Sequence, residues 1–504
     1  MTRWIALGGA TAFFLGTSSL AQADVTGAEV WENWKSAATG MGQVLTPGSV
    51  TLAGDTLTIS DLQISMTAPE VDLSGTIAMV EFRDRDDGTV AVTFSPSYQM
   101  TIKAAPADDE AVDMVIEVNQ SGMTMIASGG DGEFAYDFLA PEMTVNLVSV
   151  VVDGEPADVS ASGILSGMNG NYTMTEGDTP IVSSRLTVEN LAIDIAATEP
   201  DDGGGSFTMN ISIADIASDS TAALTPMIAS DNLSAMIAAG FAVTGSFTHG
   251  AADYELDFVD GPDTFQLASS AEGGALDLVM DDEALGYSIA NSGLSVVFSG
   301  SDIPLPEIAF ELGEIGFDFL MPSTVSDKPT EFGLGITLAD LSVSEMIWGM
   351  VDMTGALPHD PATLIVDLSG NMNWLIDFFD PAVAENMGDE VPAELRDVAL
   401  NELTLSVAGA ELTGTGDFTF DNSDLETFDG LPAPTGAIDL KLVGGNGLLD
   451  ALVEMGMLPE DQAMGARMTL GLFARPGDGE DTLVSKIEVD GATGAISANG
   501  QRLQ

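Results

Sequence analysis

A short pattern recurs along the chain: two apolar residues spaced by one, a pair ending in Asp, Asn or Glu, then apolar alternation restarting in the opposite phase. It is found at Leu57 to Met66 (LTISDLQISM), Leu186 to Ile195 (LTVENLAIDI), Ile211 to Ile216 (ISIADI), Ile336 to Val343 (ITLADLSV) and Val398 to Val407 (VALNELTLSV). Alternation with period two makes each half of the unit a strand with one buried face. The phase flips at the pair, because Leu57 and Ile59 are odd-numbered while Leu62, Ile64 and Met66 are even. Such a flip turns every following side chain to the other face unless the strand carries an extra residue. A β-bulge at the pair is therefore expected, bending the strand while one apolar face stays continuous. The competing reading, a tight turn at SD, EN, AD or NE, lacks the glycine that primed hairpin turns favour.

Alternation continues from Thr51 to about Thr221, punctuated by Asp86-Asp87-Gly88, Asp108-Asp109, Gly129 to Gly132, Asp153-Gly154, Asn169-Gly170 and Asp201 to Gly205. Strands at such spacing without intervening helices predict an antiparallel meander. A helical stretch near Pro226 to Gly240 precedes a second set of strands: Tyr254 to Phe258, Leu276 to Met280, Leu285 to Ile289 and Leu294 to Phe298. The expected organisation is a leader over 1–23, a β-rich half over 24–240, and a β-rich half with helices over 241–504, the halves forming one extended sheet. The fold class is mainly β: an elongated, curved antiparallel sheet, like a groove or half-barrel, with a few short amphipathic helices.

Four helices are predicted besides that near residue 230. Thr26 and Glu29 have capping-box spacing ahead of Val30, Trp31, Trp34 and Ala38, and the two tryptophans are expected to pack this helix on one end of the sheet. Met372, Leu375, Ile376 and Phe379 suggest a second helix ended by Pro381, and Leu448, Leu449, Leu452 and Val453 a third ended near Gly456. Pro459, Glu460 and Asp461 read as the first turn of a fourth, running through Met468 and Phe473. A hairpin closes the chain, with Ile487 to Val489 and Ala495 to Leu503 flanking Asp490 to Gly494.

The first residues change the picture from fold to location. Arg3, the uncharged run Trp4 to Leu20 and the small-residue site Ala21-Gln22-Ala23 form a cleavable export signal, and a periplasmic location is expected. The absence of cysteine fits a mature chain of about 480 residues, large enough to bury a core without disulfides. It also removes thiol nucleophiles and thiolate metal sites. With 79 acidic and 13 basic residues the net charge is -66, which excludes nucleic acid as a partner and docking driven by anionic lipid. The carboxylates are scattered along the whole sequence, and an acidic, lysine-poor surface is most simply an adaptation to salt.

Candidate chemistry is sparse. His249 lies in a Gly-rich turn and His359 between Pro358 and Asp360; neither belongs to an HExxH or GxSxG arrangement. His359 beside Asp360 could act as an oriented base, but a loop contact is the simpler reading. Three acidic clusters could offer oxygen ligands to calcium: Asp84, Asp86 and Asp87; Glu199, Asp201 and Asp202; Asp478, Glu480 and Asp481. None fits an EF-hand loop, and solvated turns explain them. No catalytic, metal or cofactor residue is assigned, and no cofactor is expected.

The segments AEVWENW near the N-terminus, LPHDPATLIVDLSG (Leu357 to Gly370), ELTGTGDFTFDN (Glu411 to Asn422) and the terminal GAISANGQRL resemble an uncharacterised alphaproteobacterial family, the domain of unknown function 2125. The resemblance spans nearly the whole mature chain and is most specific in its last ~170 residues. The repeated LxLxDLxL unit and terminal strand are more distantly similar to AsmA-like envelope proteins, whose long curved sheets have an apolar inside associated with lipid handling. That resemblance implies a non-enzymatic envelope protein that binds or shields lipid or another apolar ligand. A structural protein with a self-filled groove is the alternative, and an exported hydrolase a third. The cleavable signal, in place of an N-terminal anchor, departs from the AsmA-like pattern.

Overall fold

The computed structural model describes residues 24–40, 42–68, 70–105, 110–130, 132–177, 179–199, 204–223, 232–386, 392–503. Strands account for 64% of the structure and helices for 12%. Among the described residues all strands join one antiparallel sheet of 27 strands. The expected leader 1–23, the turn residues Asp108, Asp109 and Asp131, Asp201 and Asp202 of the second acidic cluster, and residues 226–231 of the expected helical stretch lie outside the described residues.

The ladder follows chain order from an edge made by Gln43–Thr46 and Ser49–Ala53 to the last strands, Thr482–Asp490, Ala495–Ala498 and Gln501–Arg502. Among the described residues these two edges do not pair with each other, so the sheet is open. It runs without interruption past residue 240, because Ser206–Ala223 pairs with both Ala242–His249 and Ala252–Asp260.

At one edge α1, Gly27–Gly40, covers the sheet. Its capping box forms as predicted: Glu29 Oε2 accepts the Thr26 N–H at 2.8 Å, and Thr26 Oγ1 accepts the Glu29 N–H at 3.4 Å. Val30 and Trp31 enter a core with Ile59, Val80, Phe82 and Tyr136, and Trp34 packs against it with its ring centroid 5.1 Å from that of Phe82. The other helices sit at strand ends. α2, Leu233–Ala238, is capped by Asn232, whose Oδ1 accepts the Ala235 N–H at 2.9 Å. α3, Glu345–Val351, and the pair α5, Gly445–Glu454, and α6, Glu460–Phe473, lie at one end of their strands, whereas α2 and α4, Pro381–Asn386, lie at the other.

The predictions for α5 and α6 hold, and that for the Met372 helix does not. Met372 belongs to the strand Ala362–Trp374 and opposes Leu395 in the ladder. Trp374 holds that strand end, its Nε1–H donated to the Pro322 carbonyl at 2.7 Å and its ring stacked on Phe378 at 5.0 Å. Pro381 opens a helix rather than ending one, as its preset φ and missing N–H suit a first helical position. Asn169-Gly170, read as a turn, lies inside the strand Glu155–Thr175, where a side chain at residue 170 would run into the Phe138 ring. The terminal hairpin forms with Asp490 opposite Ala495, but its second arm breaks at Asn499-Gly500.

The repeated unit runs through its central pair as one strand in all five copies. An extra residue accounts for the phase flip in only two of them. Asn401-Glu402 is bulged against both neighbours, and Asp340 against the strand Ala362–Trp374 alone. At Ser60-Asp61, Glu189-Asn190 and Ala214-Asp215 the register is unchanged on either side of the pair, so the expected bulge is absent there.

The flips share one level of the sheet, marked by left-handed residues on the flipping strand or on the strand paired with it. Asp61, Asp215 and Asp340 have φ of 50°, 52° and 55°, and Gly167 and Gly293 do the same work at 63° and 60°. Asp is among the few side chains that enter this region at modest cost, which explains its recurrence in the motif. The neighbouring strand flips at the same level, as Ile77 gives way to Val80 and Phe82 opposite Asp61, so Leu57, Ile59, Leu62 and Ile64 all reach one core. Glycine stands across from the aspartates: a Cβ on Gly48 would come within 2.9 Å of Asp61 Cβ, and one on Gly313 within 3.0 Å of Asp340 Cβ.

Candidate functional site

Directly opposed residues of antiparallel strands share a face, so the register sorts the side chains. One row across the sheet reads Leu276, Ile289, Phe317, Ile336, Val366 and Leu403, each opposite the next. Beyond the phase flip, the same face carries Ile195, Met209, Leu256, Leu267, Phe298 and Ile308. The neighbouring row on the opposite face reads Asp277, Ser288, Asp318, Gly335, Asp367 and Glu402. The carboxylates that look scattered in sequence are therefore segregated in space, with hydrocarbon on one side of the sheet and acid on the other.

The apolar face is buried beneath α1 and in a second cluster around Ala140, Met168, Val188 and Ile216, and is bare further along. Beneath α1, Ile59, Val80, Phe82 and Tyr136 have no exposed surface. On the same face further along, Tyr254, Phe258, Phe265, Tyr287 and Phe317 remain 36–40% exposed. The ring centroids of Phe265 and Phe298, and of Tyr287 and Phe317, lie 6.5 Å apart, within aromatic contact range. Only 6% of the chain is aromatic, yet these rings gather on one face.

The strand ends approach one another at the α2 end of the sheet. The Ser234 hydroxyl donates to Asp377, and Thr324 Oγ1 donates to the Asp282 carbonyl at 2.8 Å. A cavity of about 530 Å³ lies there, lined by Ile237, Phe241, Val325, Asp282 and Asp377. On a flat sheet the strands preceding Asp377 and following Ser234 would be roughly 24 Å apart. Curl of the sheet together with the α2 loop closes that gap.

The residues singled out from sequence chemistry take structural places. His359 stacks on Trp348 at 4.5 Å, and its Nδ1 lies 3.2 Å from Glu345, not beside Asp360. Asp352 is buried below it and accepts the Leu357 N–H at 2.7 Å and the Thr354 hydroxyl at 2.9 Å. These donors, led by the Leu357 N–H, hold its carboxyl down to about 2. The group fastens the loop after α3. His249 Nδ1 lies 2.8 Å from the Gly250 carbonyl, at the break between two strands.

In the first and third acidic clusters the protein's own donors engage Asp84, Asp87 and Asp481. Asp84 accepts the Gly27 N–H at 2.7 Å, Asp87 pairs with Arg85 at 3.3 Å, and Asp481 accepts from Asn446 at 2.7 Å and the Gly447 N–H at 2.9 Å. Among the described residues no group of three or more His, Asp or Glu is arranged to hold a metal ion. No described helix is long and apolar enough to cross a membrane.

Polar groups do enter the covered core, where sequence reasoning did not place them. Tyr136 donates to Asn33 Oδ1 at 2.7 Å, and Asn33 in turn donates to Glu176 at 3.0 Å. Burial raises both Tyr136 and its stacked neighbour Tyr172, the latter to about 12. The signal available in sequence was only a polar residue two positions from a tryptophan.

Residues 260–500 match a family described as an uncharacterized protein conserved in bacteria (DUF2125). The match begins just before the strand Asp263–Ala271 and takes in the greater part of the bare apolar face. No curated protein matches the chain. Among solved structures, the crystal structure of ferric citrate transporter FecA in the unliganded form is similar over 91% of this chain and 76% of that one, at 8% identity and a TM-score of 0.16. A score that low carries no argument about fold or function.

Proposed function

We propose that the chain is an exported, non-enzymatic protein of the bacterial envelope whose bare apolar face binds or shields lipid or another apolar molecule. One observation carries the reading: the successive residues Leu276, Ile289, Phe317, Ile336, Val366 and Leu403 form an uncharged row with no described helix laid over it, in a molecule of net charge -66. Apolar surface of this extent is costly in water unless something covers it. Acyl chains suit such a face because they need no hydrogen-bonding partner. The leader from Arg3 to Ala23 supports export to the periplasm.

Native mass spectrometry of protein purified gently from its host, followed by solvent extraction, tests this reading. Bound phospholipid or fatty acid is expected, displaceable by a fluorescent lipid, and Phe317→Asp with Ile336→Asp should lower that uptake at unchanged circular dichroism. A second reading is favoured by the α1 edge, where the chain covers its own apolar face: the remainder is covered by a protein partner or by the sheet itself. Protein that neither carries nor takes up lipid, and binds apolar dye only at background, would establish that reading instead.

A further inference from the structure

Two helices far apart in sequence lie at the same end of the strands, each with hydrocarbon turned outward. On α6, Met464, Met468 and Leu472 recur every four residues and are 67%, 71% and 61% exposed. On and after α3, Met350 and Met353 are 59% and 87% exposed. α3 joins the strands Thr330–Val343 and Ala362–Trp374, and α5 with α6 follows Ala433–Val443, whose end lies at the same margin of the sheet. Exposed methionines thus line one margin of the sheet.

Charge chooses the occupant. The carboxylates of α6 are confined to Glu460 and Asp461 in its first turn; from Gln462 to Phe473 there is none, and the one cation there, Arg467, is paired with Asp450 at 2.5 Å. On α3 the one carboxylate, Glu345 in the first turn, pairs with His359, and Asp352, between the two exposed methionines, turns its carboxylate into the protein. In a molecule that otherwise repels anionic surfaces, these two lips are complementary to an uncharged, deformable hydrocarbon boundary. Flexible thioether side chains adapt to such a boundary, and amphipathic helices lie in it with the apolar face inserted.

We propose that the α3–α6 end docks on the headgroup–acyl boundary of a lipid bilayer, placing the bare face at the membrane surface. This rests on the lipid reading above and adds where lipid would enter. With no unpaired cation on either helix, docking is driven by burial of apolar surface and not by attraction to anionic headgroups.

The test is flotation of full-length mature protein with phosphatidylcholine vesicles. Wild type is expected to float, equally well at low and high sodium chloride, and less well when phosphatidylglycerol is added. Met464→Asp with Met468→Asp should cut the floated fraction about tenfold, as should Met350→Asp with Met353→Asp. All four side chains are solvent-facing, so circular dichroism should not change. Wild type that stays with the soluble fraction, double variants that float like wild type, or a preference for phosphatidylglycerol vesicles would each overturn the proposal. Lipid content is read separately, so absence of cargo would count against the proposed function while flotation still decided the docking.

Discussion

The α1 edge and the long expanse beyond it are made from the same sequence pattern and differ in what lies on top. At the edge, alternating apolar residues on Thr56–Ala68 and Val71–Asp84 meet Val30 and Trp31 and lose their solvent exposure. In the expanse, the equally apolar strand Ile308–Pro322 buries Leu312 but has no described helix over it, and Phe317 stays 39% exposed. The strand pattern alone therefore specifies a two-faced sheet, and where the 14-residue α1 lies on it the apolar side becomes core.

The largest effect that would test this contrast is truncation of matched rings. Phe82→Ala should cost about 3–5 kcal/mol, as expected for a large side chain removed from a filled core. Phe317→Ala should cost about 1 kcal/mol or less in lipid-free protein, since much of that ring is already in water. Denaturant midpoints would compare them, and similar losses at both sites would mean the expanse is as well covered as the edge.

The left-handed level of the sheet is common to both regions, so its disruption should not distinguish them. Gly48→Val in the covered region and Gly313→Val in the bare one should each cost about 1–3 kcal/mol by driving a side chain into Asp61 or Asp340. Replacing Asp340 by glycine should change stability by less than about 1 kcal/mol, since glycine accepts the same backbone angle. Unequal losses for the two valine variants would show that the level plays a different role in each region.

Ionic strength should act chiefly where acid is densest. Rows such as Asp277, Asp318, Asp367 and Glu402 repel one another across the outer face, and added sodium chloride should raise the unfolding temperature from the millimolar range upward. A flat response would indicate local compensation of these charges. The smallest and most local change concerns Asp352, whose folded pKa of about 2 lies below its unfolded value. Its contribution is fully present above pH of about 4 and disappears as pH falls through about 2. Trp348 fluorescence should report that acid transition, and Asp352→Asn should remove it.

Fold class, the capping box, α5 and α6 were legible because each depends on neighbours in sequence: alternation, a Thr-x-x-Glu spacing, an apolar helical face. The mechanism of the phase flip was not. A lone strand shows only that Ile59 and Leu62 are three apart; whether its partner compensates at the same level is a property of the ladder. Segregation of acid onto one face was hidden for the same reason, since it emerges only when Asp277, Asp318 and Asp367 are brought into register. The Met372 helix failed because apolar residues at 372, 375, 376 and 379 fit a helix locally, while a cross-strand partner and the Trp374 hydrogen bond fixed an extended strand and a turn.

The left-handed level also bears on how such a sheet can change its width. The strands carrying Asp61, Gly167, Asp215, Gly293 and Asp340 are never immediate neighbours, and Asp61, Asp215 and Asp340 each face a glycine across the ladder. A hairpin that brings its own aspartate and facing glycine is therefore a self-sufficient insert. A single added strand would reverse the direction of every strand after it and could set two left-handed residues side by side. Lineages of this sheet should lengthen or shorten by whole hairpins, so that its apolar span comes in steps of two strands.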